Sequence, residues 1–149
     1  MAQKMRLLQR LFGSNVLDPA ANGLYTTIVE QARRPEFYLD LGAPDTVEGR
    51  FDMIVLHAVL LIRRLKRGDQ AAHDQAFYGR LAAYGEGLDR PDESGRISLA
   101  GALERNLYAT TEAAADKTAA MVEYLIREAD ALNKQDIDGI MAGLVAFGA

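Results

Sequence analysis

Apolar residues recur along most of the chain at the three- and four-residue spacing of an amphipathic helix, and no segment alternates with the two-residue period of a strand. The clearest segment follows the turn signal Gly42-Ala43-Pro44 and contains ten uncharged residues, 53–62. It predicts a central buried helix over about 46–67. Asp45 and Glu48 have the spacing of a capping box, so Asp45 is expected to cap this helix. The expected core stripe consists of Phe51, Ile54, Val55, Ala58, Ile62 and Leu65.

Capping and helix-breaking residues set the boundaries of the other predicted elements. Asp18-Pro19 is typical of a helix start, and the residue before Pro35 is disfavoured in a helix. Ser98 and Asp136 are candidate N-caps of later helices. We predict an all-α fold, with a basic amphipathic segment over 1–17 and a single compact multi-helix domain over 18–149. The expected helices besides the central one cover about 19–34, 70–84, 99–108, 112–133 and 137–145, with a loop at 85–97.

The side of the central helix opposite the core stripe carries a polar seam. Arg50, His57 and Arg64 are seven residues apart and therefore line up along the helix. The seam would face either a buried polar network or a partner. For His57, residue type alone favours a neutral core histidine bonded to a carbonyl or carboxylate, and the alternative places it at an interface.

Composition and motifs limit the chemistry that the chain can perform. The chain has 149 residues, enough for one domain, a formal net charge of −4 and no cysteine. Without cysteine there is no disulfide, thiolate nucleophile or cysteine-ligated metal, and the negative charge gives no general attraction for nucleic acid. His57 and His73 lie on different predicted helices, and no phosphate-binding glycine loop or complete calcium loop occurs. The sequence thus supports no enzymatic activity, no cofactor and no metal site.

Two segments raise the question of membrane contact. The ten uncharged residues 53–62 are too few to span a bilayer, which needs about 20 apolar residues. Residues 1–12 form a short basic amphipathic segment with apolar residues on one side. Such a helix can lie on a membrane surface, dock on its own domain or remain a frayed terminus.

Several short strings occur in a characteristic order along the chain. They are Leu24-Tyr25; Gln31-Ala32-Arg33, Pro35 and Phe37-Tyr38; Pro44-Asp45-Thr46 with Gly49-Arg50-Phe51-Asp52; Leu56-His57; Arg64-Leu65; Phe77-Tyr78-Gly79-Arg80 with Ala83-Tyr84; and Ala102-Leu103 with Arg105-Asn106. Each string is weak alone, and the order and spacing over residues 24–65 carry most of the information. Together they resemble the ubiquinol–cytochrome c chaperone family, the assembly factors of the cytochrome bc1 complex that are known in mitochondria as Cbp3-type chaperones.

The resemblance implies a non-enzymatic, all-α assembly chaperone that binds newly made cytochrome b, or another subunit of the bc1 complex, through a helical surface. A bacterial member would act in the cytoplasm at the inner membrane, which suits peripheral contact through residues 1–12. Phe51 and Pro44 would shape the groove, Asp45 would cap the helix, and Arg50 and His57 would pair with polar groups of the partner. The expected partner-binding residues are Tyr38, Pro44, Asp45, Arg50, Phe51, His57, Arg63 and Arg64.

The chain departs from the family pattern in one place. A helical block usually separates the Leu-His pair from the Phe-Tyr-Gly-Arg string, whereas only residues 68–76 lie between them here. Either the block has been lost or the sequence is not the whole natural protein. Its loss would leave apolar surface exposed on the helix of residues 51–65.

Two other functions are compatible with the sequence. A small helical enzyme or ligand-binding protein would use a buried Arg/His site, and it requires a closed pocket that Arg50 and His57 share. A helical scaffold would instead bury the polar seam by dimerisation.

Overall fold

The computed structural model describes residues 19–65, 75–90 and 92–148, with the backbone alone at 75–81. The predicted basic segment over 1–17 lies outside the described residues, as does His73. The described part of the chain is helical and contains no strand, which confirms the all-α prediction. Its helices are α1 (Pro19–Ala32), α2 (Pro35–Leu39), α3 (Val47–Leu65), α4 (Gln75–Leu88), α5 (Glu93–Arg105), α6 (Ala115–Lys134) and α7 (Ile137–Met141).

Helix α3 is the central element, as predicted, and it packs against α1, α4 and α6. Its side chains are buried on every side from Val55 to Ile62, because apolar residues cover most of its circumference. Leu56 and Leu60 join α5 and α6 in one hydrophobic cluster. Leu61 and Ile62 join α1 and α7 in a second cluster. Helix α3 therefore contributes side chains to both hydrophobic clusters of the core.

The start of α3 differs in detail from the capping prediction. Thr46, not Asp45, is the capping residue, since its hydroxyl oxygen accepts a hydrogen bond from the amide of Gly49 at 3.0 Å. Gly49 is also the point of closest approach to the preceding turn, because a Cβ there would overlap the carbonyl oxygen of Pro44. The turn and the helix are thus held together through a position that only glycine can occupy.

The stretch predicted as a loop at 85–97 is largely helical. Helix α4 continues to Leu88, and α5 begins at Glu93 with the side chain of Asp92 accepting from the Gly95 amide, so Ser98 is not a cap. Glycine has low helix propensity, but here it permits close packing of the two helices. A Cβ on Gly87 would lie only 2.7 Å from Cγ of Leu99.

The last helix begins as predicted and ends earlier. The Asp136 carboxylate accepts from the amides of Asp138 and Gly139, which confirms it as the N-cap of α7. The helix stops at Met141, and Gly143 takes a φ of +97°, a left-handed conformation that other residues rarely adopt. Residues 143–148 then form a tail without regular structure that returns to α1 and α6, where Gly148 bonds to Gln31 and Glu128.

Candidate partner-binding surface

A groove runs between α2 and the first half of α3. We call it the α2–α3 groove; its volume is about 530 Å³, and it is open to solvent. Its walls combine apolar side chains with guanidinium, carboxylate and phenol groups, which is the mixture expected of a protein-recognition surface. The lining residues are Ala32, Arg33, Pro35, Tyr38, Leu39, Asp45, Arg50 and Ile54.

The polar groups of the α2–α3 groove come from both of its walls. The hydroxyl of Tyr38 donates to the carbonyl of Ala32 at 2.9 Å, and burial raises the pKa of this phenol. The guanidinium of Arg50 donates to the Asp45 carboxylate at 2.6 Å, and both side chains are exposed. Such a pair contributes little stability in water, so its two charges can be given to a partner without a large cost.

An apolar face extends from the α2–α3 groove along α3. Val47, Phe51 and Ile54 share one side of the helix with Arg50, because they are three to four residues apart. Val47 is 82% exposed and Phe51 is 58% exposed, so the prediction that Phe51 belongs to the core stripe was wrong. Leu39, at the end of α2, is 75% exposed. We call Leu39, Val47, Phe51 and Ile54 the apolar face.

His57 lies in the core and not on this surface. Its side chain is fully buried, and both ring nitrogens have internal partners, the Met53 carbonyl at 2.8 Å from Nδ1 and the Tyr124 hydroxyl at 2.7 Å from Nε2. Phe37 and Phe147 contact the ring edge-on. Burial lowers the pKa of His57 to about 4, so the imidazole is neutral at pH 7. His57 is therefore corrected from a partner-binding residue to a member of a buried network.

Arg63 and Arg64 lie at the opposite end of α3, about 20 Å along the helix from Arg50. Arg63 pairs with Asp89 at 2.7 Å. Arg64 donates to the carbonyls of Leu132 and Gln135 at 2.9 and 3.0 Å, at the end of α6, where the last carbonyls have no following helical turn to bond to. Arg50, His57 and Arg64 therefore do not form the expected continuous seam, because each lies in a different environment. Neither Arg63 nor Arg64 belongs to the α2–α3 groove.

The structure brings Tyr38, Asp45 and Arg50 together in the lining of the α2–α3 groove, and their role in partner binding stays a prediction. Pro44 is half-buried against the start of α3, beside the groove rather than in its lining. Leu39 and Val47 were missed by sequence reasoning. The only signal was their apolar character at the edges of helices, which is equally typical of core residues.

The described residues offer no sign of a metal or membrane-spanning element. Within 19–65, 75–90 and 92–148, no three histidine or acidic side chains are grouped as metal ligands would be. No helix in these ranges is long and apolar enough to cross a bilayer.

Known proteins resemble the chain in both sequence and fold. The family model described as ubiquinol-cytochrome C chaperone matches residues 39–74 and 70–147. Among solved structures, the crystal structure of the Cbp3 homolog from Brucella abortus superposes with a TM-score of 0.75 at 24% identity, over 97% of this chain and 96% of that one. No curated protein matches the sequence.

The two matched segments lie on either side of the position where the resemblance leads us to expect a further helical block. They meet at residues 70–74, where the sequence departs from the expected family pattern. The Brucella chain is covered over 96% of its length, so it carries no large block without a counterpart here. The fold is therefore shared by another protein of similar extent. Since the family model spans most of the sequence, this chain belongs to the ubiquinol–cytochrome c chaperone family.

Proposed function

We propose that the protein binds newly made cytochrome b during assembly of the cytochrome bc1 complex, using the α2–α3 groove and the apolar face beside it. The observation that carries the proposal is the concentration of exposed apolar groups. Six large apolar side chains are strongly exposed in the described part of the chain, and three of them, Leu39, Val47 and Phe51, belong to the apolar face. Leu39 and Ile54 of this face also line the groove. Exposed apolar surface of this kind is typical of protein-binding sites.

The chemistry of the surface suits a segment of a membrane protein. A client helix can place an apolar stripe on Val47, Phe51 and Ile54, in the manner of helix-in-groove recognition. Polar groups at the ends of such a segment can pair with Arg33, Arg50 or Asp45 at the rim. A newly made membrane segment needs such cover because its apolar residues have no lipid or partner subunit around them.

The arrangement of Arg50 and His57 disfavours the enzyme or small-ligand alternative. That alternative requires one closed pocket for both side chains. Instead Arg50 is exposed at an open groove, while His57 is enclosed by the core and bonded on both nitrogens. Dimerisation through the apolar face is a second alternative, and light scattering of the purified protein measures it directly.

The test is co-purification of cytochrome b from detergent-solubilised membranes with the tagged protein. The wild type is expected to retain cytochrome b, detected by immunoblotting and by its haem spectrum. The double variant Val47→Ser/Phe51→Ser should lose it, because it removes the apolar contacts and leaves the core unchanged. Ile97→Ser is the matched control, since Ile97 is 67% exposed on α5, away from the groove.

Two results would contradict the proposal. One is equal recovery of cytochrome b with the double variant and with the wild type. The other is a normal level of assembled bc1 complex in cells that lack the gene. The expected result of that deletion is less assembled complex with an unchanged amount of cytochrome b message.

A further inference from the structure

A second groove lies at the other end of α3 and shares no lining residue with the α2–α3 groove. We call it the arginine groove; its volume is about 350 Å³. Four guanidinium groups from four parts of the chain converge on it, and a single carboxylate lines it. These charged residues are Arg63, Arg90, Arg96, Arg127 and Asp130.

Three of these guanidinium groups already bind carboxylates of this chain at the rim of the groove. Arg63 holds Asp89 at 2.7 Å, and Arg90 holds Glu86 at 2.7 Å. Arg96 holds Glu123 through two contacts, of which the shorter is 2.6 Å. All three carboxylates are more than half exposed, so these pairs are worth little in water and can be exchanged for carboxylates of a partner.

Arg127 has the weakest internal ion pair of the four arginines. Its nearest carboxylate, Glu128, is 3.8 Å away and is committed to the backbone amide of Gly148. The guanidinium lies 5.4 Å from the ring centre of Tyr124, which orients it without neutralising its charge. Arg127 therefore has donors to offer to an incoming anion.

The surroundings of the arginine groove select among anionic partners. Leu88, Ile126 and Ala129 also line it, so the groove provides apolar contacts between the charges. The formal net charge of the chain is −4. An extended polyanion such as nucleic acid or an anionic membrane would reach beyond the groove and meet this negative charge, whereas a short ligand would contact the groove alone. A short ligand that carries both carboxylates and apolar side chains satisfies both conditions.

We propose that the arginine groove binds an acidic segment of a partner protein, with glutamate or aspartate carboxylates on the guanidinium groups and an apolar side chain on Leu88 and Ile126. The site is independent of cytochrome b binding at the α2–α3 groove. The protein would thereby hold an acidic partner segment and a client at the two ends of α3.

The test uses a capped, fluorescently labelled peptide of alternating glutamate and leucine, with binding to the full chain followed by fluorescence polarisation. The wild type should bind it, and its glutamine–leucine counterpart should not bind. Arg90→Gln/Arg127→Gln should weaken binding about tenfold, since each lost charge contact contributes a modest free energy. Asp130→Asn should strengthen binding, because it removes the one carboxylate that lines the groove.

Two control variants separate the arginine groove from other surfaces. Arg105→Gln removes an exposed arginine of α5 outside the groove and should leave peptide binding unchanged. Val47→Ser/Phe51→Ser should also leave it unchanged, so that failure here and failure of cytochrome b binding are distinguishable. Circular dichroism verifies that each variant is folded.

Three outcomes would overturn the proposal. The first is no binding of the glutamate–leucine peptide by the wild type. The second is the same affinity in Arg90→Gln/Arg127→Gln as in Arg105→Gln. The third is binding of inorganic phosphate or of phosphatidylglycerol vesicles in preference to the peptide, which would assign the groove to phosphate groups.

Discussion

The Nε2 atom of His57 lies 2.7 Å from the hydroxyl oxygen of Tyr124, within the core. Because the Met53 carbonyl can only accept, the Nδ1 atom of His57 carries the hydrogen and Nε2 is an acceptor. Tyr124 therefore donates to His57, and its oxygen accepts from the amide of Gln31 at 2.9 Å. With this direction of donation, both nitrogens of His57 and the Tyr124 hydroxyl have hydrogen-bond partners while the imidazole and the phenol remain neutral.

Tyr124→Phe removes the hydroxyl at the middle of this network. His57 then loses its donor and Gln31 loses one acceptor, and an unsatisfied buried polar group costs about 1–3 kcal/mol. We expect a loss of this size in the free energy of unfolding, measured by urea denaturation. Tyr25→Phe is the control, because Tyr25 is 51% exposed, and it should change stability by less than about 0.5 kcal/mol.

Because of His57, the free energy of unfolding should decrease as the pH is lowered below about 6.5. Burial lowers its pKa from 6.5 to about 4 in the folded protein, so between these values the unfolded state binds the proton more readily. The contribution of His57 is complete above pH 6.5 and decreases towards pH 4, by at most about 3 kcal/mol. Urea denaturation at several pH values measures this slope.

His57→Gln provides the comparison for the pH effect. The variant has no imidazole to titrate, so its stability should change less steeply between pH 6.5 and pH 4 than that of the wild type. Carboxylates and His73 are common to both proteins and cancel in the comparison. Equal slopes would mean that the buried imidazole does not resist protonation.

Two glycines in helices should respond in opposite directions to alanine. Gly49→Ala places a Cβ on the carbonyl oxygen of Pro44, and this overlap should cost about 1–3 kcal/mol or more. Gly85→Ala meets no atom within 4 Å and should stabilise α4 by about 0.5–1 kcal/mol. Thermal denaturation of both variants checks the pair; a stabilising Gly49→Ala would show that the turn can move away.

The capping assignment predicts unequal effects of alanine at neighbouring positions. Thr46→Ala removes the side-chain acceptor of the Gly49 amide and should cost about 1 kcal/mol. Asp45→Ala removes only an exposed ion pair with Arg50 and should therefore cost less than Thr46→Ala. Urea denaturation that finds Asp45→Ala more damaging than Thr46→Ala would restore Asp45 as the cap.

Features that depend on local spacing were predictable from the sequence. The all-α class, the central position of α3 and the Asp136 cap all follow from helical periodicity and short-range hydrogen bonding. Thr46 was missed because threonine and aspartate are both good N-caps and stand side by side. The sequence places Gly87 in a loop because helix propensity includes the cost of glycine but not the close packing that glycine permits.

Features that depend on distant residues were not predictable. Tyr124 lies 67 positions from His57, so the sequence could not choose between a core and an interface histidine. Phe51 could not be assigned to the exposed side because apolar residues occupy most of the circumference of α3. The regular spacing of Arg50 and Arg64 likewise gave no information on the end of α6, which Arg64 contacts.

The contacts of Gly148 with Gln31 and Glu128 can form only late in the synthesis of the chain. Gln31 donates to the carbonyl of Gly148, 117 positions later, and the buried Glu128 carboxylate accepts from the amide of the same residue. On the ribosome these two side chains have no backbone partner at the tail until residue 148 has emerged. The residues that line the α2–α3 groove all lie within 32–54, and none of them belongs to the tail. The residues that line the groove are therefore all synthesised before the residue that completes the polar network of the core.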